Sequence, residues 1–294
     1  MPDRTLLSPF EETGPSELEP QPDTALIRVK LCNLPPFHDA AKHVLCLKDR
    51  HDLDTRRIAR IVGSDPALAA EVLFLANSSL FGFPSRIQVL NHAVALLGLD
   101  RVTALAVTVA TRALLGQGGP LADQCWRHSA ASAIIAAEFA EPFGISKDGA
   151  YTAALLHDVG RLGLLKSYPL EYGVVLGTEY QSLEAVLEAE RTLFQVDHSD
   201  AGAWLAGYWA FPASFIEVCE RHHRRRRKKD SPLLHVVSAA CAVADAFGYS
   251  AVRYKNSPGY RYVVGRLDPE IARLLPLEEQ LRSDVQTRIS ALAN

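Results

Sequence analysis

Apolar residues recur at helical spacing almost throughout this chain from Leu26 onward, and no convincing strand alternation interrupts them. Leu68, Val72 and Leu75 fall on one stripe after Asp65-Pro66, and Ile87, Leu90, Val94 and Leu97 repeat the pattern before Gly98 ends the next helix. Helix starts recur at Asp65-Pro66, Pro212, Ser231-Pro232 and Asp268-Pro269, where a proline's missing donor costs nothing. An Ala- and Ile-rich helix over 121–140 stops at Pro142 and Gly144. The next, 146–157, is apolar nearly all the way round through Ala153, Ala154, Leu155 and Leu156, so His157 and Asp158 emerge from a buried helix. The stretch from Tyr168-Pro169 to Thr178 has no clear assignment. Ser182 caps a helix through Phe194, and His198 opens another over 199–209. His222-His223 end the Pro212 helix, and Asp245 lies late in the Pro232 helix. After a turn at Ser257-Pro258-Gly259, helices are expected over 268–275 and 277–292. The fold class is all-α.

Composition narrows the class. With 294 residues and 48% hydrophobic content, the chain has core enough for one large or two small domains. The longest apolar run, 102–115, is interrupted by Arg112 and too short to span a bilayer, and Met1-Pro2-Asp3-Arg4 does not open a signal peptide. A cytoplasmic protein without membrane contact is expected. Residues 1–25 read as a poorly ordered acidic arm rich in Glu, Asp, Pro and Ser. Five scattered cysteines, Cys32, Cys46, Cys125, Cys219 and Cys241, form no CxxC pair and read as buried small hydrophobes. Trp126, Trp204 and Trp209 read as core packing.

The chemistry lies in an ordered set of seven potential metal ligands: His128, His157, Asp158, His198, His222, His223 and Asp245. Imidazole with carboxylate suits a divalent transition metal, and a helical bundle can direct scattered side chains to one point in its core. The bland reading is that these groups cap helices or bond one another. His38, His43, His51 and His92 fall outside the pattern, and His235 sits ten residues before Asp245, about 80° round the helix. Asn77-Ser78-Ser79 reads as local backbone bonding. The run from Arg221 to Lys229 reads as a solvated loop or as a basic rim that attracts anions. The formal net charge of −3, and the lack of aromatics within the run, argue against nucleic acid as a partner.

Leu34-Pro35-Pro36, Ser64 to Leu68, Leu75 to Ser78, Ala93-Val94 and Leu97-Gly98 resemble the HDOD domain, the HD-related output domain of bacterial signalling proteins. Trp126 to Ser129, Leu155 to Gly160, Asp197-His198 with Gly202, Trp209 to Pro212 and His222-His223 extend the resemblance over residues 26–247. It implies an N-terminal helical bundle, 26–118, packed on a module, 119–250, similar to HD-superfamily metal phosphohydrolases; beyond it, the residue pattern gives a C-terminal helical extension over 251–294. It further implies that His128, His157, Asp158 and Asp245 form the basic metal pattern. His198, His222 and His223 occupy positions added in the HD-GYP branch, and Asp158 bridges. The chain departs from that branch in carrying Arg161 where Lys is usual, and Arg224 to Lys229 where a Gly-Tyr-Pro loop is expected.

The expected function is that of a signal-transduction regulator acting through a downstream signalling protein, or through an anionic phosphate-bearing small ligand. A divalent metal such as Fe, Mn or Zn, one ion or two, fits the ligand set. The alternative is a metal-dependent phosphohydrolase in which Asp158 is catalytic and Arg161 steadies developing negative charge.

Overall fold

The computed structural model describes residues 24–47, 54–77, 87–116, 119–227 and 229–293. Most of the arm, 1–23, together with His51, Ser78, Ser79 and Lys228, lies outside these residues. The architecture is all-α. Helices α1 (Thr24–Cys32), α2 (Asp39–Cys46), α3 (Thr55–Gly63), α4 (Pro66–Ala76) and α5 (Leu90–Leu115) form the N-terminal part. The second part comprises α6 (Gly119–Phe139), α7 (Lys147–Leu156), α8 (Val159–Ser167), α9 (Pro169–Gly177), α10 (Leu183–Phe194), α11 (His198–Tyr208), α12 (Ala213–Arg221) and α13 (Pro232–Ala246). The shorter α14 (Tyr260–Val264) and α15 (Pro269–Leu274) precede α16 (Glu278–Ala293), which packs on α6.

The starts follow the sequence signals. Asp65 accepts from the Leu68 amide at 2.6 Å, and Ser182, Asp197 and Ser231 cap α10, α11 and α13 in the same way. The unassigned stretch after Tyr168 is α9, opened by Pro169 at its first position. Strand is confined, among the described residues, to β1 (Glu179–Tyr180) pairing in parallel with β2 (Arg253–Tyr254). Helix α5 is long and apolar enough to cross a membrane by length and composition. Gly98, at φ 76° and ψ 165°, breaks its helical backbone, and Val94, Val102 and Val107 bury their side chains in the core.

Two contacts join the parts near the site. Phe37 packs against Trp209 and Phe211, with ring centroids 5.5 and 5.1 Å away, and α1 lies on α8 and α11. Trp126 and Trp209 are core residues, as expected. Asn77 does more than bond its own helix: its amide also donates to the Ile87 carbonyl at 2.9 Å and accepts from the Ile87 amide at 2.7 Å, tying α4 to the approach of α5.

Candidate metal centre

The centre forms where α7 meets α8. His157 follows the last residue of α7 in helical backbone, while Asp158, at φ −104° and ψ 18°, turns the chain into α8, so both side chains point inward at one corner. His128 arrives from the middle of α6, His198 from the first position of α11, and His222 and His223 from the end of α12. Four of these histidines and Asp158 are buried, none more than 4% exposed.

Asp158 is the hub. One carboxylate oxygen, Oδ1, lies 3.3 Å from His198 Nε2 and 3.5 Å from His222 Nε2. The other, Oδ2, lies 3.6 Å from His128 Nε2, 4.0 Å from His157 Nε2 and 2.8 Å from Arg161 Nε. Asp158, His198, His222 and His223 can bring one donor atom each within 4.8 Å of one another, and so can His128, His157 and Cys241.

The imidazoles share one orientation. A carbonyl oxygen only accepts, so a ring nitrogen facing one carries the proton. Nδ1 of His157 donates to Ala154 O, that of His222 to Val218 O and Cys219 O, and that of His128 to Tyr249 O. His198 Nδ1 donates to the Glu190 carboxylate at 2.7 Å. Each ring therefore turns an Nε2 lone pair toward Asp158, the tautomer that metal-ligating histidines adopt when their far nitrogen is held. Burial keeps His157, His222 and His223 neutral by holding them below the usual histidine range. His157 Nε2, His222 Nε2 and Asp158 Oδ1 are buried with no hydrogen-bond partner among the described residues. Orphaned acceptors around a carboxylate cost stability on their own, and a divalent cation would satisfy them together. The residues fit a metal.

Arg161 fills the flank of the centre. Its guanidinium, 2% exposed, donates to Asp158 Oδ2, to Tyr172 Oη at 3.2 Å, to Glu190 Oε1 at 3.1 Å and, through Nη2, to His198 Nε2 at 3.2 Å. Burial opposes the Asp158 and Glu190 charges, but the Arg161 guanidinium beside Asp158, and for Glu190 the two N–H groups donated by His198 together with Arg161, outweigh it, and both carboxyls sit below the ordinary carboxylate range. Sequence reasoning missed Glu190, Tyr172 and Cys241. Glu190 left a signal: it interrupts the buried stripe Val186, Glu190, Phe194 of α10 at four-residue spacing.

Asp245 is placed differently from the other six. Its Oδ1 lies 3.4 Å from His128 Nδ1, behind the ring, and burial pushes its carboxyl up. The basic run is partly neutralised: Arg224 pairs with Asp200 at 2.7 Å and Asp197 at 3.3 Å, and Arg221 with Asp230 at 2.9 Å, while Arg225, Arg226 and Arg227 are exposed. His38 pairs with Asp65 at 2.8 Å, and His235 joins neither donor group.

The fold is that of an HD-like helical domain. The HDOD domain family matches residues 34–225, and the chain belongs to that family. A protein of Treponema pallidum (strain Nichols), described only as uncharacterized, is 24% identical over 283 residues, and the chain spans 53% of its length. Among solved structures, one from Marinobacter aquaeolei VT8, named provisionally as a signal transduction protein, matches with a TM-score of 0.67 at 19% identity, covering 94% of this chain and 67% of that one. Another, from Shewanella amazonensis SB2B and named provisionally as a phosphohydrolase, matches with a TM-score of 0.61 at 22% identity, covering 92% of this chain and 93% of that one.

Proposed function

We infer that this protein is a signal-transduction regulator built round a buried metal centre, and that it works by binding a downstream signalling protein rather than by turnover. The observation that carries this reading is the engagement of Arg161. Four of its five N–H bonds already go to Asp158, Tyr172, Glu190 and His198, which leaves little with which to hold a phosphoryl group. Burial of the centre supports the same reading. Two surface clefts, of about 330 Å³ along Leu114, Leu121 and Leu162 and about 430 Å³ along Pro36, Phe37 and Asp65, are lined by none of its members. The metal, a divalent transition ion such as zinc, iron or manganese, would be held by the inward Nε2 atoms and Asp158 and would fix the packing of α6, α7, α8 and α12. The name carried by the Marinobacter structure agrees with a regulatory role. A cytoplasmic setting belongs to the same proposal.

The second reading is a metal-dependent phosphohydrolase. It is favoured by Asp158, which faces both donor groups through different oxygens, and by the name of the Shewanella neighbour. A pair of metals would supply an activated water and a grip on phosphate. His128, His157, Asp158 and Asp245 would hold one ion, His198, His222 and His223 the other, with Arg161 turned toward an anionic phosphate-bearing ligand.

The two readings part on turnover. The metal-reconstituted chain, given phosphate monoesters, diesters and cyclic dinucleotides, is expected to release no product above the level of Asp158→Ala. Cross-linking in its native extract is expected to capture a discrete protein partner. Hydrolysis that disappears in Asp158→Ala, with no partner captured, would replace the regulator by the hydrolase.

A further inference from the structure

Helix α13 presents two donors one turn apart, Cys241 and Asp245, and the ring of His128 separates them. Asp245 stands behind the ring, 3.4 Å from Nδ1, the nitrogen whose proton goes to Tyr249 O at 2.9 Å. Cys241 stands in front: its sulfur lies 3.5 Å from Nε2, the nitrogen that also faces Asp158 Oδ2 at 3.6 Å. His157 Nε2, on a fully buried ring with no hydrogen-bond partner among the described residues, completes the same pocket.

We propose that Cys241, and not Asp245, is the fourth ligand of this half of the centre, giving an ion held by His128 Nε2, His157 Nε2, Asp158 Oδ2 and the Cys241 thiolate. Two of the separations suit it. With Zn–S of about 2.3 Å and Zn–N of about 2.0–2.1 Å, the edge between a sulfur and a nitrogen of a tetrahedron is about 3.5 Å, and a nitrogen–oxygen edge is slightly shorter. The Cys241–His128 contact already has the first length, and the His128–Asp158 contact is within a few tenths of an ångström of the second. Asp245 then serves as a positioning residue behind the His128 ring, beside the Tyr249 carbonyl that takes the Nδ1 proton. One thiolate among two imidazoles and a carboxylate favours zinc or iron and disfavours magnesium, calcium and manganese. On binding, the ion replaces the thiol proton, which leaves to solvent, so uptake releases acid.

This assignment rests on the metal-centre reading above, and cobalt separates the two. Full-length protein stripped with chelator and titrated with Co(II) is expected to take up the ion and to develop a near-ultraviolet sulfur-to-cobalt charge-transfer band. Cys241→Ser and Cys241→Ala lose the band. Asp245→Asn keeps it with affinity lowered about 10- to 100-fold. Cys32→Ser with Cys46→Ser, removing the two partly exposed thiols, also keeps it. Cobalt uptake by the wild-type chain without the band overturns the thiolate assignment alone, as does a band that persists in Cys241→Ser. No uptake at all overturns the metal centre with it.

Discussion

The decisive atoms are ring nitrogens. His128, His157, His198 and His222 each spend the Nδ1 proton on a backbone carbonyl or on the Glu190 carboxylate, and this fixes where the lone pairs go. The sequence displays histidines but not their tautomers, because the proton's place depends on which carbonyl a ring meets after packing. It displays Arg161 equally, yet not that Glu190 of α10 would pair with its charge and Tyr172 of α9 accept one of its hydrogen bonds. The burial has a pH consequence. His157, His222 and His223 are held below their ordinary range, whereas the unfolded chain protonates them near pH 6.5. The unfolded state therefore binds more protons than the folded state as pH falls below that value, and folding stability drops. The metal-free protein is expected to lose stability as pH falls below about 6.5, with a limit of about 1.4 kcal/mol per pH unit for each such histidine, read from urea midpoints. The lowered carboxyls of Asp158 and Glu190 add a further loss below about pH 4. A midpoint that stays level or rises from pH 7 to pH 5 would contradict this.

At the scale of elements, the site is a corner and a close crossing. The α7–α8 corner aims His157 and Asp158, and α11 can bring His198 to them because Gly160 of α8 lets its backbone approach. A methyl group on Gly160 would sit 1.9 Å from His198 O and 2.5 Å from Gly202 N. Gly160→Ala should therefore cost about 3 kcal/mol or more through forced separation of two backbones. Gly207→Ala, at an exposed position of α11 with open space beside it, should be neutral or stabilising by up to about 1 kcal/mol. Equal denaturation midpoints for the two variants would remove the crossing as the reason His198 reaches Asp158. The helices of the second part were legible because their caps and apolar runs speak locally: Ser182 and Ser231 each mark a start. Helix α9 was not, since its nine residues include two glycines and two valines, weak helix formers, and its buried face of Tyr172, Val175 and Leu176 is set by packing on α8 and α10. The proposed exchange of Cys241 for Asp245 was hidden for a related reason. Both lie one turn apart on α13, and only the position of the His128 ring decides which of them it faces with Nε2.

For the molecule as a whole, the all-α class and the family were readable because many short motifs agree over most of the chain. The convergence of five elements on Asp158 is a property of packing alone. The N-terminal part reaches the centre indirectly, through Phe37 on Trp209 and Phe211 and through α1 on α8 and α11, so a change in the centre has a physical route to the face that α1 to α5 present. That route matters only if an ion is held at the hub. Elemental analysis of the protein purified without added metal tests this most directly. The expected result is a transition metal bound in stoichiometric amount, zinc or iron in preference to manganese, and absent from Asp158→Ala. A wild-type chain that carries no transition metal, and acquires none on incubation with zinc, iron or manganese, would contradict it.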